Sequence, residues 1–403
     1  MLRKMNILVV HETEYIDKVI YEYQIIPEIL SARGHNVYVI DFPTNWSKSK
    51  KNRLISEASQ YSNIRRANKS KGITLFRPAF VQIPIISRIS AFFSYFFLID
   101  KTIRENKISH IVLFSVPTNG LQTILLAKSR HIPVLYRSLD VSHQIVPNKF
   151  LKLPTLLLEK FVYKYSDKIS AITHKLIDYM VTNGANPEKC SFLPTGADTD
   201  IFYYQPKDKQ LLAQHGLSKD DQILLFSGTL YHFSGLKEII QAIPSKLQAM
   251  PNLKFLIVGG GEQYEELIHL VDKLGLRSQV ILTGFVDYAE VPTYINIADI
   301  CINPFVINDV TDIIFPSKIY QYLACEKPVI ATKLRGMLDI FPPGDLGSGV
   351  YYFNSTDDFF EVVSRIKRIR VKSSSPSLHE ITTIIEQELH SMRTYEEKAG
   401  MPT

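Results

Sequence analysis

The chain reads as an α/β protein built from two doubly wound domains, and three observations lead there. Its 403 residues exceed what one hydrophobic core ordinarily organises, so two domains of roughly 150–200 residues are expected. Short runs rich in Val and Ile alternate with longer amphipathic segments along nearly the whole length, the pattern of parallel strands joined by helical crossovers. That alternation pauses at a polar stretch, Tyr204–Asp221, and starts afresh at Gln222. The first domain is therefore expected over 1–203, the second over 204–380, and a final helix and tail over 381–403.

Taken in order, the strands expected in the first domain are NILVV (Asn6–Val10), VYVID (Val37–Asp41), HIVLF (His110–Phe114), IPVLY (Ile132–Tyr136) and KISAIT (Lys168–Thr173). The second domain offers QILLFS (Gln222–Ser227), LKFLIVG (Leu253–Gly259), QVILTG (Gln279–Gly284), DICINP (Asp299–Pro304), PVIAT (Pro328–Thr332) and GVYYF (Gly349–Phe353). Helical patterns such as GLKEIIQAIPSKLQAM and QYEELIHLVDKLG fill the intervals. SSSPS (Ser373–Ser377) reads as a loop before the last helix, EITTIIEQELHSMRTYEE. In two such domains facing each other, ligands bind outside the carboxyl ends of the strands, so a cleft between the domains is the expected site.

Composition narrows the classes. Hydrophobic residues make up 45% and charged residues 21%, values of a globular chain rather than a disordered one. Cys190, Cys301 and Cys325 are odd in number and lack metal-ligand spacing, so neither a disulfide framework nor a metal site is expected. The N-terminus carries an apolar run of only about five residues, too short for a signal peptide, and a cytoplasmic location is expected. The net charge of +6 is uneven: Lys48, Lys50, Lys51, Arg53, Arg65, Arg66, Lys69 and Lys71 crowd between Thr44 and Gly72. The apolar, aromatic-rich segment Ile73–Ile99 follows, broken by Arg77, Arg88, Pro78 and Pro84 and never reaching the ~20 residues of a spanning helix. Residues 44–99 are compatible with an anionic bilayer surface, while a core helix beside a solvated basic loop is the more ordinary reading. Nucleic acid fits poorly, because basic and aromatic residues do not alternate.

Three loops at carboxyl ends of second-domain strands point to an anion. FSGTLYHFSGLKEII places Gly228 after a strand and Gly235 before a helix. VGGGEQYEEL places Gly259, Gly260 and Gly261 after a strand, followed by Glu262. Glycines at such turns let backbone N–H groups approach a phosphate, although βα turns use Gly for purely structural reasons too. The third loop is IIFPSKIYQYLAC (Ile313–Cys325). Pro316 and Ser317 suit a helix start, Pro in the first turn and Ser as cap. Free N–H groups there, with the positive end of the helix dipole, make an anion site. Three- and four-residue spacing puts Ser317, Lys318, Gln321 and Tyr322 on one side of that helix. A helix start is electrostatically the wrong end for Lys318 unless an anion is near.

Taken with PTGADTDIF (Pro194–Phe202), RGH (Arg33–His35), LTGFV (Leu282–Val286) and RGMLD (Arg335–Asp339), these loops make the sequence resemble the retaining glycosyltransferases of family four over residues 5–355. The resemblance implies a GT-B fold, two facing Rossmann-like domains. It also implies transfer of a sugar from a nucleotide diphosphate sugar with retention and without a metal. By position, LTGFV, with Phe285 and Val286, would lie against the base. Gly228, Gly260, Glu262 and Gly336 would lie near the diphosphate sugar, Pro316, Ser317 and Lys318 would hold the phosphates, and Gln321 would reach the ribose. YRSLDVSH (Tyr136–His143) would face the transferred sugar, with Asp140 and His143 as its polar candidates.

The sequence also departs from the family pattern. Ile313 and Gln321 stand where two glutamates are usual, and Thr229 and Ser234 where an arginine and a lysine are usual. Asp309 or Asp312 could offset the first loss. Lys318 and Arg335 are the expected replacements for the missing cations, with Thr229 and Ser234 donating hydrogen bonds. A leaving diphosphate needs several kcal/mol of charge stabilisation.

The reading reached from sequence is a retaining hexosyl transferase using a UDP- or, second, a GDP-sugar, with a lipid-linked or surface-glycan acceptor held by the first domain. Front-face attack needs no nucleophile. A non-catalytic transferase-like scaffold and a nucleotide-sugar epimerase are the alternatives.

Overall fold

The computed structural model describes residues 3–44, 54–67, 71–84, 86–146, 148–366, 369–372 and 375–392. The chain divides into two compact units, Met1–Pro194 with Leu378–Thr403, and Thr195–Ser377.

In chain order the first unit carries β1 (Asn6–Val10), α1 (Glu22–Ala32), β2 (Asn36–Ile40), β3 (Ile55–Ser56), β4 (Ser59–Ile64), β5 (Ile73–Arg77), β6 (Phe80–Val81), α2 (Ile86–Glu105), β7 (His110–Leu113), α3 (Gly120–Ser129), β8 (Val134–Ser138), α4 (Ser142–Ile145), α5 (Lys149–Tyr165), β9 (Lys168–Ala171), α6 (His174–Thr182) and β10 (Cys190–Phe192). Its main sheet has the order β10-β9-β8-β7-β1-β2-β5-β4. All neighbours run parallel except β4 against β5, and β3 pairs antiparallel with β6 as a separate ribbon. Strand order reverses between β1 and β7, so the carboxyl ends of these two strands open the crevice where doubly wound sheets bind ligands.

The second unit follows with α7 (Lys209–Gln214), β11 (Gln222–Ser227), α8 (Leu236–Lys246), β12 (Leu253–Val258), α9 (Tyr264–Lys273), β13 (Val280–Gly284), α10 (Val291–Ile297), β14 (Ile300–Asn303), α11 (Lys318–Ala324), β15 (Val329–Thr332), α12 (Arg335–Leu338), β16 (Val350–Phe353) and α13 (Thr356–Arg365). Its sheet, β13-β12-β11-β14-β15-β16, is parallel throughout. Here the order reverses between β11 and β14. The central strands are buried along their length, as Val/Ile/Leu runs covered by helices on both faces must be.

α14 (Leu378–Ser391) returns to the first unit. Ile381, Ile385 and Leu389 join the core of Ile7, Val9, Leu30 and Leu75. The polar clasp is RGH: Arg33 and His35 each donate to Glu386 at 2.8 Å, and His35 Nδ1 accepts from the Met5 N–H at 3.1 Å. The final helix therefore completes the first unit's core instead of standing alone.

The boundary between the units also falls earlier than expected, at Pro194/Thr195. Buried Arg137 donates to the carbonyls of Leu193 and Pro194, fastening the chain up to there. Beyond it, Ala197 N–H donates to the Pro376 carbonyl, Gln205 N–H to Asn296 Oδ1, and Asn296 Nδ2 to the Tyr203 carbonyl. PTGADTDIF thus belongs almost wholly to the second unit.

Every strand expected from the sequence is present. β4 was not expected, because its SQYSNI is a polar, exposed edge strand without apolar alternation. Nor was β5, which sits inside the apolar segment that Pro78 and Pro84 divide. Among the described residues no helix is long and apolar enough to cross a membrane. Lys48, Lys50, Lys51, Arg53 and Lys69 lie outside the described residues. Arg66 is structural, its backbone donating to Glu28 and its guanidinium to the Tyr15 carbonyl.

Candidate active site

In the second unit the loops that follow β11, β12, β13 and β14 meet backbone to backbone. Gly228 N–H donates to the Val258 carbonyl and Leu230 N–H to the Gly260 carbonyl, while Gly259 N–H donates to the Gly284 carbonyl. A Cβ at Gly259 would stand 2.0 Å from the Gly228 carbonyl oxygen, and one at Gly235 only 1.8 Å from that of Pro304. These glycines are there because two peptide planes touch, and only Gly removes the obstructing atom.

Lys318 is the centre of this floor. It opens α11 and is partly buried, with its ammonium 3.7 Å from the Phe226 ring centroid and 4.8 Å from that of Phe305. Phe226 belongs to β11 and Phe305 follows β14, so the cation sits at the point where strand order reverses. It also lies 3.0 Å from where a Gly228 Cβ would be. Among the described residues no carboxylate comes within ion-pair distance of it. Burial without a counter-charge pushes its pKa from 10.5 down to about 7. One turn on, Tyr322 is fully buried and its hydroxyl accepts from the Ser227 N–H at 2.8 Å. Lys318 and Tyr322 thus share a side, as expected, and Tyr322 spends its hydroxyl on tethering the end of β11.

The remaining candidates divide. Ser317 occupies the N-cap position in a helical conformation and makes no side-chain cap bond, which corrects the expected capping role. Pro316 precedes the cap and accepts through its carbonyl from the Ile319 N–H. Ser234 is fully buried and its hydroxyl accepts from the Tyr231 N–H at 3.0 Å, so it belongs to the turn. Arg335 donates to Asp312 at 2.5 Å, and the same carboxylate accepts from the Arg335 backbone at 3.0 Å. That pairing neutralises the second expected cation. Gly336 packs on the loop before Pro316, a Cβ there falling 2.4 Å from the Ile314 carbonyl oxygen.

Glu262 accepts from the His232 N–H at 3.0 Å. Thr229 and Val286 are half-buried, and Phe285 is 62% exposed beside Gly260. Gln321 is half-buried, its amide making no hydrogen bond to another described residue. Asp309 is exposed.

In the first unit, Asp140 and His143 do not bond each other. His143 donates through its backbone N–H and pairs through Nδ1 with Glu159 of α5, at 3.1 and 2.8 Å. The Tyr179 hydroxyl donates to the same carboxylate at 3.3 Å. Asp140 is raised to about 6, by burial first and then by the charge of Glu159. At the reversal between β1 and β7, buried His11 follows the first strand, and burial depresses it to about 3. Glu12 accepts from the Thr118 N–H at 2.5 Å and from Arg88 at 3.2 Å.

One group of potential metal ligands in this unit, His35, Glu386 and His390, has its atoms within 4.8 Å of one another. The Met5 N–H occupies His35 Nδ1, so His35 Nε2 carries a proton and faces Glu386 as a donor. That is the chemistry of the clasp described above.

Two family models match the two halves in turn: Glycosyltransferase Family 4 over residues 28–201 and Glycosyl transferases group 1 over residues 207–371. The chain belongs to the group 1 glycosyltransferases. Its fold is GT-B. Sucrose-phosphate synthase from Thermosynechococcus elongatus superposes with a TM-score of 0.71 at 15% identity, over 98% of this chain and 96% of that one. Anabaena HepE, solved with UDP and glucose, gives 0.71 at 15% identity over 96% and 100%. Among characterised sequences, the alpha-monoglucosyldiacylglycerol synthase of Acholeplasma laidlawii is 23% identical over 293 residues, 69% of this chain and 68% of its own.

Sequence reasoning about this glycosyltransferase missed four residues, three of them at strand ends. His11 and Glu12 are the first polar residues after the first strand, a signal that was present in VVHETE. Glu159 was hidden within an apolar helix. Asn303 ends β14 fully buried, and neither atom of its amide has a partner among the described residues. Only the folded chain shows that.

Proposed function

We propose that this glycosyltransferase is a retaining enzyme that moves a sugar from a UDP-sugar to a lipid-linked acceptor, the second unit holding the donor and the first the acceptor. The observation that carries the reading is Lys318, an ammonium without a carboxylate partner, set where the second sheet reverses. A cation held partly away from water without a counter-charge is costly, and a diphosphate is the anion that doubly wound folds receive there. Support for UDP comes from Anabaena HepE, whose structures hold UDP and UDP-glucose. Support for a lipid acceptor comes from the name of the Acholeplasma relative.

In the reaction, the bond from the anomeric carbon to the diphosphate oxygen breaks and a bond to the acceptor oxygen forms on the same face. The departing phosphate oxygen takes the acceptor's proton. Lys318 meets the charge that grows on the leaving group, in place of a metal, and does so most strongly where water is excluded. Gln321 bonds a ribose hydroxyl with less strength than a glutamate, because its bond is not charge-assisted. Asp140 and His143 orient the sugar.

Purified protein should release UDP from UDP-glucose when a diacylglycerol or polyprenyl acceptor is added, and Lys318→Ala should lower that rate at least tenfold. An unchanged rate removes Lys318 from the site. Proton spectra of the product give the anomeric configuration, and inversion refutes retention. A thermal-shift comparison of UDP with GDP decides the base.

A further inference from the structure

We infer that α5 (Lys149–Tyr165) is the surface by which this glycosyltransferase lies on an anionic bilayer. The inference deepens the lipid-acceptor reading and rests on it for the reason a bilayer should be near. The helix is KFLKLPTLLLEKFVYKY. Its inward face is Thr155, Glu159, Val162 and Tyr163. Its outward face is apolar: Phe150 is 78% exposed, Leu153 65% and Leu157 60%, at three- and four-residue spacing. Leaving three large side chains in a row in water is costly for a soluble surface.

The charges fix the kind of partner. Lys149, Lys152, Lys160 and Lys164 are all exposed, and among the described residues none of them makes an ion pair. The helix's one acid, Glu159, turns inward to His143. Lysines around an exposed apolar stripe are the composition of a helix lying in the plane of an anionic interface, their stems alongside the apolar face and their ammonium groups at the phosphates. Lys149 and Lys164 already lie against the rings of Phe150 and Tyr165, at 5.4 and 5.5 Å.

A second copy of the chain fits worse. A twofold contact through α5 would set these lysines against their own kind with no carboxylate between them. The same helical layer continues the surface. α3 packs between α5 and α2, and Leu125 of α3 with Phe93 and Phe97 of α2 are exposed as well. Docking there also reaches the chemistry, since Glu159 holds His143 beside Asp140 from the inner face of the same helix.

The test is flotation of the full chain with phosphatidylcholine vesicles, with and without phosphatidylglycerol. Binding is expected only with the anionic lipid, falling as salt rises. Leu153→Ser with Leu157→Ser should lower partitioning at least tenfold. Lys152→Gln with Lys160→Gln should lower it and flatten its salt dependence. Both variants change exposed side chains, and unchanged circular dichroism and urea midpoints verify their folding.

Either variant partitioning like the parent overturns the inference, as does equal binding to uncharged vesicles. Parent protein that dimerises without vesicles, with the leucine variant monomeric by sedimentation, assigns the surface to a second copy. A bilayer-free assay with UDP-glucose and dihexanoylglycerol separates the two readings. Transfer without vesicle binding sinks the docking surface alone. Vesicle binding through α5 without transfer to this or to vesicle-borne diacylglycerol or polyprenyl phosphate sinks the lipid acceptor alone.

Discussion

If Lys318 receives the diphosphate, binding must be linked to one proton. The amine is held near pKa 7 in the ligand-free protein because burial disfavours its charge. A bound diphosphate restores the missing counter-charge and raises the pKa again. Below about pH 7 the amine is already protonated, and this group adds no pH dependence. Above it, each binding event must first take up a proton, so affinity falls tenfold per pH unit, about 1.36 kcal/mol. From pH 7 to 9 the loss is roughly 50-fold, or about 2.3 kcal/mol, since half the amine is still protonated at pH 7. The diphosphate itself is fully ionised over that interval, its last pKa being about 6.

Isothermal titration of UDP at about pH 8.5, in buffers of different ionisation enthalpy, should show close to one proton taken up; Lys318→Met should show none and bind more weakly. Stability moves the other way. The unfolded lysine titrates near 10.5 and the folded one near 7, so between those values the unfolded chain holds more protons and ligand-free stability rises with pH. The methionine variant should lose that rise and be the more stable protein at pH 7. UDP affinity that is flat from pH 7 to 9, with no proton uptake, would refute the reasoning.

Four further outcomes follow from individual contacts. Gly235→Ala drives a Cβ to 1.8 Å from a carbonyl oxygen at a φ of 68°, so its urea midpoint should fall by an amount worth more than about 3 kcal/mol. Gly260→Ala meets only the edge of the exposed Phe285 ring, at 2.8 Å, so the ring swings aside. Stability should change by less than about 1 kcal/mol while UDP affinity by titration calorimetry falls. Arg137→Met leaves Glu22 buried and unpaired from its 2.8 Å partner, which should cost about 3–5 kcal/mol, and adding Glu22→Gln should return part of it in the same denaturation assay. Glu159→Gln removes the second cause of the raised Asp140 pKa. The acid limb of the rate profile, expected near pH 6, should move to lower pH.

Strand periodicity and glycine-rich turns made most of the fold legible, because parallel strands buried on both faces leave contiguous Val/Ile runs that few other structures require. The edge strand β4 left no such trace, being exposed on both sides. The second unit's candidate site was legible to the extent that it is local: Lys318, Gly228 and Gly260 are each placed by the strand or helix next to them. What did not show in the sequence is which partner each polar group takes. Ser234 looked like a donor to a ligand, and its hydroxyl closes its own turn. Arg335 looked like a free cation, and Asp312, far off in sequence, holds it. RGH read as a landmark before a strand, and its purpose is Glu386, at the other end of the chain.

Those pairings strengthen the case for Lys318. Of the cations expected near the leaving group, Arg335 is neutralised by its own carboxylate, leaving Lys318 as the cation set among the strand ends. It sits where the sheet reverses, between rings contributed by β11 and by the loop after β14. β14 itself ends on Asn303, whose buried amide makes no hydrogen bond among the described residues. A partly buried ammonium without a carboxylate and a buried amide without a hydrogen-bond partner among the described residues each lower the stability of the empty protein. A scaffold could lose both to apolar residues of similar volume and become more stable. A binding site cannot, since the ligand supplies the partner that the fold withholds. Stability given up twice at one strand reversal, where such sheets bind phosphates, is the physical argument that this glycosyltransferase binds its donor despite the glutamine at position 321.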